Sequence, residues 1–206
     1  MCIFPSKKKI ILVGWDGDLI SELKNFNIKI EGYTSNSKKN SPYKYLGSIK
    51  NINNLKKDVG ILIPDSDIEL KYDVYKKFKN QIVSFISKNS VVPNFKNIGL
   101  GSIIQSNVFI SENSKIGKCV KINVGCQIHY DSTIGNFSIF GPKVTILGNC
   151  KIGKKTFIGS GSIVRNKIKI ADNSFIAMGS VVLKDTLKNK KYFGNPAKIY
   201  KNINNL

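Results

Sequence analysis

The sequence predicts a mainly β protein: a parallel β-helix of five triangular coils, preceded by a small α/β domain. Three observations carry this. A branched or bulky apolar residue returns at every sixth position from Ile98 to Val182, through Ile104, Ile110, Ile116, Ile122, Ile128, Ile134, Phe140, Ile146, Ile152, Ile158, Val164, Ile170 and Ile176. Four residues after each lies a small or slim one, from Ser102 and Val108 to Ser180 and Thr186. Ile-Gly pairs recur every eighteen residues, at Ile98-Gly99, Ile116-Gly117, Ile134-Gly135 and Ile152-Gly153, with Ile170-Ala171 next. Six is a multiple of the strand period and places helical residues on different faces, so the repeat is one of stacked short strands. Eighteen residues per turn make each coil three-sided, and glycine after isoleucine suits a corner where a Cβ would crowd the backbone. An ordinary sandwich of short strands does not hold fifteen unbroken hexads.

The elements follow in chain order. Lys9 to Gly14 reads as an apolar strand, Asp18 to Phe26 as a helix through Leu19, Ile20 and Leu23, and Ile28 to Tyr33 as a second strand. Val59 to Pro64 is a buried strand. Ser66 and Glu69 have capping-box spacing before a helix to about Phe78, and Gln81 to Ile86 is a further strand. Strand, helix, strand in this order implies a parallel, Rossmann-like α/β domain over residues 1–88. Ser87 to Asn97, with Pro93, reads as a hinge into a β-helix domain over 89–187. A basic tail, 188–206, carries Gly194-Asn195-Pro196-Ala197-Lys198.

Composition narrows the function. The chain has 206 residues and a formal net charge of +20, with Arg165 the one arginine. Lysine without arginine is a poor tool for forked phosphate and base contacts, so the charge reads as solvated surface that also attracts polyphosphate ligands, not as a nucleic-acid site. No segment is long and apolar enough for a signal peptide or a membrane span. Cys2, Cys119, Cys126 and Cys150 form no disulfide framework, which fits a reducing cytoplasm. Cys126 and Cys150 fall in the small inward slot and read as packing residues.

A closed β-helix is filled by its own side chains, so chemistry must lie on its faces, at its ends or between copies. His129 is the single histidine, within Ile128-His129-Tyr130-Asp131-Ser132. A lone histidine is more often structural than catalytic, but a carboxylate follows two residues later and Gly148 lies one coil above residue 130. Glycine there leaves a gap and offers a backbone N–H to an oxyanion.

These hexads, the N-terminal α/β domain, the His-Tyr-Asp segment and Gly-Asn-Pro-Ala-Lys together resemble the sialic-acid O-acetyltransferase and UDP-4-amino-sugar N-acetyltransferase family, over essentially the whole chain. The resemblance implies a left-handed β-helix, a homotrimer, acetyl-CoA held between adjacent β-helices, and a sugar or nucleotide-sugar acceptor near the N-terminal domain. It implies that the Gly148 N–H faces the thioester carbonyl. Gly194, Pro196, Ala197 and Lys198 would line the coenzyme arm, with Ala177, Met178, Gly179 and Ser180 nearby. No metal is implied. Two departures stand out. The family places histidine third and an acid fourth in the hexad; here Tyr130 is third, Asp131 fourth and His129 second. The family's glycine-rich loop after the first strand reads Gly14-Trp15-Asp16-Gly17-Asp18, with aspartates beside an expected phosphate. Trp15 either stacks on a base or sugar or packs inward.

The expected roles are therefore His129 as base, Asp131 as its orienting or stabilising charge, and Tyr130 as a hydrogen-bond partner of the acceptor. The alternative is a catalytically impaired binding or scaffold protein on the same fold. A zinc hydratase would need several histidines, and the chain has one.

Overall fold

The computed structural model describes residues 9–48 and 58–200; Cys2 lies outside them. Strands β1 (Lys9–Val13), β2 (Lys29–Thr34) and β3 (Val59–Leu62) form a parallel sheet in the order β2-β1-β3. Helices α1 (Gly17–Asn25) and α2 (Ile68–Phe78) connect and flank it. Boundaries fall within a residue or two of expectation, the usual fraying. Two local readings change. The cap of α2 is Asp67, not Ser66: its carboxylate accepts from Glu69 N at 2.9 Å and Leu70 N at 3.0 Å. Glu69 is not a reciprocal cap, because its carboxylate takes Lys155 Nζ at 2.7 and 2.9 Å.

The strand expected over Gln81 to Ile86 is divided between two sheets. Ile82 bridges Ile61 at the edge of the α/β sheet, whereas β4 (Phe85–Ile86) pairs with Ile103–Ile104 of the solenoid. Val91 then bridges Phe109 and Ile98 bridges Ile116. The segment expected as a hinge is thus a leading coil in register with the five counted from Ile98.

The fold is a left-handed β-helix, mostly strand, with few helices. Two-residue strands pair in parallel at a register of eighteen, as in Ile134 with Ile152 and Ile152 with Ile170. The hexad residues fill the interior; Ile104, Ile122, Ile128, Phe140, Ile146, Ile158, Val164 and Ile176 are all fully buried. Each such side chain contributes about 1.5–3 kcal/mol relative to exposure.

The small slot does more than fit. Ser102 Oγ donates to Gly117 O and accepts from Val120 N; Ser138 Oγ does the same with Gly153 O and Thr156 N. Cys126 and Cys150 thiols replace the hydroxyl, donating to Gly141 O and Arg165 O at 3.1 Å. Each of these serine and cysteine slots therefore ties one corner to the coil above, which satisfies buried backbone groups. Burial pushes the Cys126 thiol up to about 12 and raises that of Cys150. A third periodicity escaped the sequence reading. Asn107, Asn113, Cys119, Gly125, Asp131, Phe137, Lys143, Asn149, Lys155, Gly161, Lys167, Asn173 and Gly179 all have φ between 52° and 72°. One left-handed residue turns each corner, which favours asparagine and glycine there. The Ile-Gly glycines serve a different need: a Cβ on Gly135 would lie 2.4 Å from Lys154 N of the next coil.

The three faces differ. The first, on Phe85, Ile103, Lys121 and Ile139, is covered by the α/β domain, and all four are buried. The second presents Lys115, Thr133, Lys151 and Lys169 to solvent. The third presents Val91, Phe109, Gln127, Thr145, Ile163 and Val181; Phe109 is 39% and Ile163 41% exposed. No helix among the described residues is long and apolar enough to cross a membrane.

Candidate active site

His129 follows the strand Gln127–Ile128 at the corner between the apolar and lysine faces. Its backbone is fixed from both sides: His129 N donates to Ile146 O, and His129 O accepts from Ser114 Oγ at 2.9 Å. The ring is half-buried and lies 6.1 Å from the Phe109 ring. Among the described residues its imidazole nitrogens bond to nothing, and no ion pair joins it to Asp131. Asp131 is the left-handed corner residue and is exposed.

Tyr130 is 52% exposed and its ring lies over Gly148. A Cβ on residue 148 would meet Tyr130 Cζ at 2.5 Å and Cε1 at 2.7 Å. The gap left by glycine is therefore occupied by the tyrosine ring. The Gly148 N–H has no hydrogen-bond partner among the described residues, whereas its carbonyl accepts from Lys167 N. An unpaired N–H beside an imidazole corner is the donor an oxyanion requires.

The pairing register stacks Leu147, Arg165 and Leu183 on His129 in successive coils. The exposed Arg165 guanidinium thus sits two coils above the imidazole on the same edge of the apolar face, with Lys184 beside the next step. Sequence reading noted Arg165 only as a lone arginine. Its separation from His129 by two eighteen-residue turns was the signal that would have placed it here.

The other expected coenzyme residues gather at the top of the same face. Gly194 O accepts from Val181 N, and Ala197 N donates to Val181 O at 2.8 Å, which lays the tail along the last strand. Gly194 has φ +98° and the Asn195-Pro196 bond is cis. Pro196 and Lys198 are exposed. Ala177 N donates to Tyr192 O, and Gly179 has φ +68° with nothing within 4 Å of a Cβ position. These groups lie several coils above His129 and do not contact it.

The N-terminal loop is built differently from a phosphate cradle. Gly14 has φ +97° and packs on Asp65: a Cβ there would lie 2.6 Å from Asp65 Cβ. Trp15 is half-buried with its ring edge-on to Tyr33 at 4.8 Å, a packing role. Asp16 caps α1, accepting from Leu19 N at 2.9 Å, and its other oxygen takes Lys121 Nζ at 2.6 Å. Gly17 opens α1 with no atom within 4 Å of a Cβ position. The loop's carboxylate already occupies the helix N-terminus where an anion would dock.

Behind this loop is a buried polar cluster that sequence reading missed. Lys71 is fully buried and donates to Ile63 O at 2.6 Å. Desolvation lowers its pKa to about 8, and burial pushes the neighbouring Cys119 thiol up to about 11. Glu22, its pKa raised mainly by burial, accepts from Ser106 N at 2.9 Å and ties α1 to the solenoid. No group of three or more metal-ligating side chains occurs among the described residues.

A family model described as bacterial transferase hexapeptide (six repeats) matches residues 149–184. No curated protein matches the chain in sequence. Among solved structures, the acetyltransferase domain of PglB from Neisseria gonorrhoeae in complex with acetyl coenzyme A superposes with a TM-score of 0.85 at 18% identity, covering 95% of this chain and 100% of that one. A mutant of perosamine N-acetyltransferase from Caulobacter crescentus, in complex with CoA and GDP-perosamine, gives 0.85 at 20% identity, covering 97% and 100%. WeeI from Acinetobacter baumannii gives 0.80 at 21%, covering 93% and 100%. At such identities the likeness establishes the fold, of the α/β domain as well as the solenoid, over nearly the whole of each chain.

Proposed function

We propose that the protein is an acetyltransferase that moves an acetyl group from acetyl-CoA to an amino or hydroxyl group of a sugar or nucleotide-linked sugar. The observation that carries this is the corner itself: an exposed edge with the sole imidazole, an unpaired Gly148 N–H one coil above, and a guanidinium two coils above. The near-complete superposition on acetyltransferases, one of them holding acetyl coenzyme A and another CoA and GDP-perosamine, supports the same reading.

In this reading His129 takes the proton from the attacking amine or hydroxyl as the new N–C or O–C bond forms. The thioester oxygen becomes an oxyanion, and the Gly148 N–H donates to it. Collapse breaks the C–S bond, and the imidazolium returns the proton to the departing thiolate. In the same reading the Tyr130 hydroxyl hydrogen-bonds the acceptor, its ring lying against Gly148 of the coil above, and Asp131 supplies the negative charge that favours the imidazolium. Arg165 and Lys198 supply cations for the donor's phosphates, and Ala177, Gly179, Gly194 and Pro196 give its arm close backbone approach. Residues 1–88 hold the acceptor through the Gly14-to-Gly17 loop, residues 89–187 carry out transfer, and residues 188–206 contact the donor.

Three copies meet through the apolar face. Valine, phenylalanine and isoleucine exposed in one column on a protein of charge +20 are matched by an identical column on a sister chain. Such a contact encloses the His129 edge in a cleft between copies. Three free, buried cysteines suit the cytoplasm.

The test is release of free CoA thiol from acetyl-CoA across a panel of amino-sugar, nucleotide-sugar and sialic-acid acceptors. His129→Ala is expected to slow release by about 10²–10⁴-fold. Unchanged turnover in that variant removes His129 from the mechanism. One observation favours a second reading, a binding protein without turnover: the Tyr130 ring fills the space over Gly148. Acetyl-CoA binding by calorimetry with no thiol release for any acceptor would establish it.

A further inference from the structure

Lys121 is an anomaly on the covered face. Its column reads Phe85, Ile103, Lys121, Ile139, and the other three are apolar and buried. The lysine side chain is 7% exposed. Burying an ammonium costs several kcal/mol unless it is paired, and a well-packed apolar pair is often as stable. The ammonium here is paired twice, with Asp16 Oδ2 at 2.6 Å and with Pro64 O at 2.8 Å. The first partner lies in the loop after β1 and the second in the loop after β3. Lys71 grips the adjacent carbonyl, Ile63 O, from α2. Asp16 passes the constraint on by capping α1, and Gly14 packs directly on Asp65. Both loops at the C-terminal ends of the parallel strands, where open α/β sheets bind ligands, are therefore fixed by one solenoid side chain. Lys121 also belongs to the coil that carries His129: the chain runs from Lys121–Ile122 through Gln127–Ile128 into the histidine.

We infer that Lys121 is a positioning residue for the acceptor, clamping the loops after β1 and β3 to the coil that presents the imidazole. This rests on the reading that the α/β domain holds the acceptor. The clamp sets where those loops stand relative to the chemistry and touches no reacting atom.

Two measurements test it, both well below the thermal midpoint. With any acceptor that supports thiol release, Lys121→Met is expected to raise the acceptor KM by about tenfold or more, with the acetyl-CoA KM and kcat within about twofold. Asp16→Asn keeps the cap and weakens the ion pair; because Asp16 itself lies in the acceptor-holding loop, it stands in for the exchange measurement, not for the kinetic one, if Lys121→Met does not fold. The double variant should be no worse than the more severe single one. Hydrogen exchange needs no acceptor: residues 14–19 and 63–70 should exchange faster in either variant while strands such as Ile139–Phe140 stay protected. Unchanged exchange in those loops, or a loss shared equally by kcat and both KM values, overturns the clamp. Absence of thiol release from the wild type with every acceptor would instead defeat the proposed activity and leave the exchange result to decide the clamp.

Discussion

Lys121 and Lys151 occupy the same place in the hexad, each just before an inward isoleucine, yet they live in opposite worlds. Lys151 stands in solvent on a face shared with Lys115 and Lys169. Lys121 lies under the α/β domain, spent on a carboxylate and a carbonyl. The third face has Val91, Phe109, Ile163 and Val181 at the equivalent place, with Gln127 and Thr145 between, and among the described residues Phe109 and Ile163 stay about two-fifths exposed. One repeat thus makes three surfaces whose meaning depends on what lies against them, and a side chain's energetic weight follows the cover rather than the residue type.

The contrast is open to direct attack. The largest effect should come from the apolar face: Phe109→Lys with Ile163→Lys places like charges in the proposed contact between copies. The expected result is a monomer by sedimentation, with thiol release lost together with the trimer. On the covered face, Lys121→Ala strands the buried Asp16 carboxylate and should cost about 3–5 kcal/mol in denaturant unfolding, much of it recovered by adding Asp16→Ser.

A smaller effect concerns Lys71, whose folded pKa is about 8 against about 10.4 in an unfolded chain. Between these values the unfolded state holds more protons, so the charged lysine weakens the fold below about pH 8 and that penalty is relieved as pH rises. The stability of the wild type relative to Lys71→Met should therefore rise by on the order of 2 kcal/mol from pH 7 to pH 10. The comparison between variants cancels the opposing Cys126 and Cys150 thiols, whose raised values make the fold lose stability as pH rises; Cys119, which feels Lys71 directly, is removed from the comparison by carrying Cys119→Ser in both proteins. On the lysine face, Lys151→Ala should change stability by no more than about 0.5 kcal/mol.

The same distinction explains how far the sequence could be read. Inward residues carry a strict period because each meets an identical neighbour one coil away, so winding, coil shape and core were legible from Ile98 onward. The leading coil was not: Ile86 and Val92 carry the period of six back from Ile98, but Pro93 follows Val92, the segment has no Ile-Gly pair, and Ser87 to Asn97 reads as a loop. The left-handed corners were hidden because lysine, phenylalanine and cysteine fill some of them as well as asparagine and glycine. The histidine corner was found from a residue type that occurs once. Arg165 was missed because stacking relates it to His129 across two turns, and Lys121 because a lysine in an outward slot looks solvated until the domain above it is placed. The role of Asp16 inverted for the same reason: beside an imagined phosphate it is unfavourable, whereas beside Lys121 and the α1 N-terminus it is satisfied.

The stacking of Arg165 over His129 makes the solenoid a ruler with fixed graduations. Coils rise by about 4.8 Å each, so the two groups are held about 10 Å apart along the axis. No substitution at a corner can shorten or lengthen that span by a fraction of a step. Only gain or loss of a whole turn resets it, and any ligand that bridges the two must match a whole number of steps.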